Sequence, residues 1–159
     1  MSKVPPMASE QQRGQRPDRR RVSRGGRRTL DRPGLHPTIL VADSYEGARR
    51  PCARYLDRYR FQVAEATDGE EALSCITTLG PHVILADSSL PTMPAWRLTQ
   101  WLAQSWRTRN IPVILMTSDI EPDDDLPLPE NAAVVLIKPF SLTTMLAEVR
   151  RVLRVSANL

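Results

Sequence analysis

Four apolar runs in this chain stop on a polar side chain: the first on Asp43, another on Asp87, a third on Thr117 and the last on Lys138. If the runs are parallel strands, their carboxyl ends share one edge of a sheet, the edge outside which open α/β sheets bind ligands. Two carboxylates, a hydroxyl and an ammonium then converge. Such a set suits phosphoryl chemistry on a carboxylate, where a metal and a fixed cation offset charge on the transferring group while a hydroxyl donates to one of its oxygens. Asp87 is the nucleophile in this reading. A polar residue that ends a strand is ordinary wherever the chain meets solvent, but four together are harder to explain that way.

The elements that must position these groups read as alternating strands and helices, the pattern of βα units on a parallel sheet. Strands are expected over residues 38–42, 62–66, 83–86, 112–116 and 133–137, with the run at 62–66 expected at an edge of the sheet. The others are nearly continuous apolar runs, as strands covered on both faces should be. Asp68 and Glu71 have capping-box spacing ahead of a face formed by Ala72, Cys75, Ile76 and Leu79, and Gly80-Pro81 ends that helix. A further helix is expected from Pro94 to Ser105. The last helix has Ser141 as its N-cap, a stripe of Leu142, Met145, Leu146, Val149, Val152 and Leu153, and Arg150, Arg151 and Arg154 at its C-terminal end. Tyr45 to Tyr59 contains Pro51, which should kink a helix or delay its start. Pro122, Pro127 and Pro129 predict a loop in place of a helix between Asp119 and Asn131.

Charge is distributed unevenly. Residues 1–36 carry ten Lys and Arg against three acids, and the remainder twelve against fifteen. With almost no branched apolar residue, the first segment cannot bury enough surface to offset its ordering entropy, so a disordered basic arm is expected over 1–36. Its arginines could neutralise nucleic-acid phosphates, but it has no aromatic residue for a base to stack on, and a solvated tail is the simpler reading. No signal-like or membrane-spanning segment is evident, so a cytoplasmic chain without a membrane role is expected. Cys52 and Cys75 are then reduced and read as small core residues, with too few soft ligands for a zinc site.

Taken together, Ile39-Leu-Val-Ala-Asp43, Ala66-Thr-Asp-Gly-Glu-Glu-Ala-Leu73, Ile84-Leu-Ala-Asp87-Ser-Ser-Leu-Pro91, Ile111-Pro-Val-Ile-Leu-Met-Thr117 and Lys138-Pro-Phe140 resemble the receiver domain of two-component response regulators. The resemblance covers nearly the whole body, placed at 37–155 with a short tail at 156–159. It implies a flavodoxin-like, doubly wound sheet of five parallel strands in the order 2-1-3-4-5, with the fourth helix degenerate or replaced by a loop. It implies that Asp87 is the phosphoacceptor, that Thr117 and Lys138 contact the phosphoryl group, and that Lys138-Pro139 is cis. Asp43, Asp87 and the Ser89 carbonyl become the ligands of a magnesium ion.

The sequence departs from the family pattern in several places. Ser44 stands where a second acid is usual, the one that reaches magnesium directly, so weaker metal binding is expected. Val135 replaces an aromatic residue that rotates with the hydroxyl at the Thr117 position. Thr92 and Ala95 occupy positions often held by glycine. His82 falls at the far end of its strand from Asp87, a poor place for a catalytic base. Trp96, Trp101 and Trp106, spaced by five, step around a helix; either at least one is exposed as a contact surface, or Trp96 and Trp106 pack at the helix ends with Trp101 partly covered.

The resemblance therefore implies a signalling domain and not an enzyme beyond magnesium-dependent self-phosphorylation and dephosphorylation. A histidine kinase or phosphotransfer protein would supply the phosphoryl group, and the response would pass through protein contacts, from a monomer or weak dimer. The competing reading is a degenerate receiver that binds partners without phosphorylation. An unrelated flavodoxin-like enzyme is disfavoured, because Asp43-Ser-Tyr-Glu-Gly offers no glycine-rich phosphate cradle.

Overall fold

The computed structural model describes residues 36–118 and 132–156. Five parallel strands, β1 (Thr38–Ala42), β2 (Gln62–Ala66), β3 (Val83–Asp87), β4 (Val113–Thr117) and β5 (Ala132–Ile137), form one sheet in the order β2-β1-β3-β4-β5. Four helices are described: α1 (Glu46–Arg58), α2 (Gly69–Leu79), α3 (Ala95–Ala103) and α4 (Leu142–Ser156). The expected loop between Asp119 and Asn131, the arm up to residue 35 and the tail from residue 157 lie outside the described residues. His36, assigned to the arm from sequence, is tied to the domain by a hydrogen bond from its Nδ1 to the Arg60 carbonyl, 2.9 Å.

Alternation along each strand divides the core between the two faces of the sheet. Ile39 and Val41 of β1 join Leu56 of α1 and Met145, Val149 and Val152 of α4 on one face. Leu40 and Ala42 join Ile76 of α2 and Leu98 and Leu102 of α3 on the other. Strand β2 is an edge, as expected, with Val63 and Ala64 only half-buried and Gln62 and Glu65 exposed. Strand β5 is the opposite edge, which accounts for a run that reads as fully apolar leaving Ala133 and Ile137 exposed.

Local chemistry explains most helix boundaries. The Glu71 N–H donates to Asp68 Oδ1 at 2.8 Å, while Glu71 Oε2 accepts from the Thr67 N–H and hydroxyl at 2.7 and 2.8 Å, one residue earlier than a standard capping box. Gly80, with φ of 57°, ends α2 in the left-handed conformation. The Ser141 hydroxyl accepts the Thr144 N–H at 3.0 Å and caps α4.

Several expectations need correction. Pro51 neither delays nor interrupts α1, which runs from Glu46 with the proline inside it. Leu79 does not share the buried face of α2; it is exposed at the helix end, and Cys75 is half-buried where Cys52 is buried. Helix α3 is shorter than expected. Trp101 packs against the core, whereas Trp96 and Trp106 are 51% and 74% exposed, so the two end tryptophans do not pack down.

Candidate functional site

All four strand-ending groups lie at the carboxyl edge of the sheet. Because β1 and β3 are neighbours in register Ala42 with Ala86, Asp43 and Asp87 leave the sheet side by side. Thr117, buried, closes β4 one residue beyond the partner of Asp87, and its carbonyl accepts the Lys138 N–H at 2.7 Å. The Lys138–Pro139 bond is cis.

The Lys138 ammonium bridges the two acids, with Nζ 2.7 Å from Asp43 Oδ2 and 2.8 Å from Asp87 Oδ1. The remaining oxygens are also held: Asp43 Oδ1 accepts the Tyr45 N–H at 2.8 Å and Asp87 Oδ2 the Ser89 N–H at 3.2 Å. Burial opposes the lysine's charge, but hydrogen bonds and Coulombic attraction from Asp43 and Asp87 outweigh it, and the ammonium is held above the usual lysine range. Asp43 is buried and Asp87 partly open, so of the two carboxylates Asp87 is the one a solvent-borne reactant can reach.

Two converging carboxylates that already hold one cation suit a small divalent ion, which needs oxygen ligands and one or two carboxylates among them. Among the described residues no set of three or more His, Cys, Asp or Glu side chains is grouped to hold a metal, so the donor set stops at two acids. Ser44, in the position of the absent acid, is exposed. Val135 is half-buried against the α2–α3 side of the core.

Sequence reading missed Arg49. It is 8% exposed, with Nη1 donating to the Asp43 carbonyl at 2.8 Å and Nε paired with Glu65 at 3.0 Å, so it fastens the turn carrying Asp43 to β2. A signal was available: Arg49 shares a helical face with Cys52, Ala53 and Leu56, the buried side of α1. The loop after Asp87 is likewise seated on α2. Gly69 donates its N–H to the Pro91 carbonyl at 3.0 Å, and a Cβ at Gly69 would meet the Met93 carbonyl oxygen. Thr92 adopts φ of 62°, where glycine is at ease and a β-branched residue is strained. His82 lies at the opposite end of β3 from Asp87, its Nδ1 accepting the Thr38 N–H at 3.0 Å.

The chain is similar to known proteins in both sequence and fold. The chain is 30% identical over 119 residues to a DNA-binding dual master transcriptional regulator, RpaA, of Synechocystis, covering 74% of this chain and 49% of that one. It is also 30% identical over 117 residues to the phosphate regulon transcriptional regulatory protein PhoB of Escherichia coli, covering 73% and 51%. The chain thus spans about half the length of these curated relatives. Among solved structures, the receiver domain of a histidine kinase from Syntrophus aciditrophicus superposes with a TM-score of 0.68 at 26% identity, covering 74% of this chain and 90% of that one. A chemotaxis response regulator of Vibrio cholerae shares the fold with a TM-score of 0.69 at 24% identity, covering 74% and 98%. The description of the response regulator receiver domain matches residues 39–150, well over half of the chain, and the chain therefore belongs to that family of two-component signalling domains.

Proposed function

We propose that this chain receives a phosphoryl group on Asp87 from a histidine kinase or phosphotransfer protein and passes the signal on through protein contacts. The observation that carries this reading is the Lys138 ammonium within hydrogen-bond distance of both Asp43 and Asp87. An Asp87 oxygen attacks phosphorus, an O–P bond forms, the P–N bond to the donor histidine breaks, and the imidazole nitrogen is protonated as it leaves. Lys138 offsets charge on the phosphoryl oxygens and the Thr117 hydroxyl donates to one of them, so both act where charge is redistributed.

Asp43, Asp87 and the Ser89 carbonyl would hold magnesium, which when bound offsets further phosphoryl charge. With Ser44 in place of an acid, binding is weaker than in a three-carboxylate site. Ser44 and Val135 also favour a second reading, a receiver that docks constitutively. Intact mass after incubation with magnesium and a small-molecule phosphoryl donor separates the two. A single adduct lost with chelator and in Asp87→Asn supports the first. Folded protein without adduct at high magnesium supports the second.

A further inference from the structure

Every strand of a parallel sheet begins at one edge, so the loops that precede them gather there, opposite Asp43 and Asp87. In this chain the described loops at 36–38, 59–62, 80–83 and 104–113, with the last turn of α4 at 153–156, contain no acid and contribute Arg60, Arg107, Arg109 and Arg154, all exposed. None of the four has an ion-pair partner among the described residues, and the nearest acid in sequence is Asp57 in the last turn of α1. The described part of the amino edge thus carries arginines and no acid, while Asp43 and Asp87 lie at the other edge.

Cations near helix C-termini complement the helix dipole, which accounts for Arg60 and Arg154. It does not account for Trp106. This residue is 74% exposed just beyond α3, with the Arg107 guanidinium 5.2 Å from its ring centroid, an arrangement that leaves most of a large aromatic surface in water. Beside it opens a cavity of about 360 Å³ whose walls include Pro81, His82, Arg107, Asn110, Ile111 and Leu153. Its wall offers donors in Arg107, the Asn110 amide nitrogen and the His82 ring, whose Nδ1 is already used by Thr38, and the Asn110 amide oxygen and Ser156 hydroxyl can also accept.

We propose that this amino edge binds single-stranded nucleic acid, with a base stacked on Trp106 and phosphates on Arg60, Arg107, Arg109 and Arg154. An exposed indole beside arginines without an ion-pair partner among the described residues is what sequence-tolerant binding of single strands requires. Binding here is independent of phosphorylation at the opposite edge.

The test uses the full chain with Arg19, Arg20, Arg21, Arg24, Arg27 and Arg28 changed to Gln, so that the arm does not mask the domain. Anisotropy of a short fluorescein-labelled oligothymidylate should report saturable binding, weakened about tenfold by Trp106→Ala and unchanged by Trp96→Ala. With roughly 0.7 of log-log salt slope per neutralised phosphate, four arginines give a slope near 3, and Arg107→Gln with Arg109→Gln should lower it by about 1.4. Absence of binding in the arm-neutralised chain, equal effects of the two tryptophan variants, or competition by polyglutamate as effective as by unlabelled oligonucleotide would each overturn the proposal.

Discussion

Lys138 stands between two carboxylates and makes each tolerable beside the other. Replacing it with Met removes that cation and leaves buried Asp43 uncompensated, a change expected to cost about 1–3 kcal/mol in thermal or urea denaturation at neutral pH, discounted for the lysine's partial exposure. The pH dependence has a definite sign. A lysine held above its ordinary value contributes stability that is complete below that value and is lost as pH rises through the higher folded one. The wild-type advantage over Lys138→Met should therefore persist to about pH 10 and shrink above it. A difference that shrank on acidification alone would point to a different origin. Thr92 offers a further test at this scale. Thr92→Gly relieves a left-handed β-branched residue and gives up only two long hydroxyl contacts, at 3.3 and 3.4 Å, so it should stabilise the domain by up to about 1 kcal/mol in the same melts.

At the scale of elements, two seatings hold the site: α1 through Arg49, and the loop after Asp87 through Gly69. Gly69→Ala drives a methyl group into the Met93 carbonyl oxygen and Cβ, contacts that only movement of the loop can relieve. A loss of about 1–3 kcal/mol is expected, with slower phosphorylation by a small-molecule donor, read in parallel by denaturation and intact mass. Pro51 works the other way. It sits inside α1 without a backbone donor, so Pro51→Ala should raise the melting temperature, and a lower one would show that the ring packs usefully in the groove beside Tyr45 and Arg54. These elements were legible to different degrees. Nearly continuous apolar runs located four strands within a residue, because burial leaves few other patterns, and the mixed run at 62–66 located the edge strand β2. The tolerance of α1 for Pro51 was not legible, because tertiary packing of Cys52, Ala53 and Leu56 overrides the local preference. Arg49 was overlooked because a charged residue at helical spacing reads as solvated until its partners, the Asp43 carbonyl and Glu65 on a different strand, are in place.

At the scale of the molecule, the parallel sheet sorts chemistry by edge. Strand ends bring Asp43, Asp87, Thr117 and Lys138 together from positions as far apart as 95 residues, and this convergence was readable because topology alone dictates it. The bridging of both acids by one ammonium was not, since it depends on side-chain distances that spacing does not encode. The proposed function requires phosphorylation at Asp87. Its most direct test is to treat the chain with magnesium and a small-molecule phosphoryl donor, reduce with borohydride, which converts an aspartyl phosphate to homoserine, and sequence the peptides by mass spectrometry. Homoserine at position 87 alone is the expected result. Homoserine at position 43, a stable phosphoester on Ser88 or Ser89, or an unmodified peptide from folded protein would contradict it.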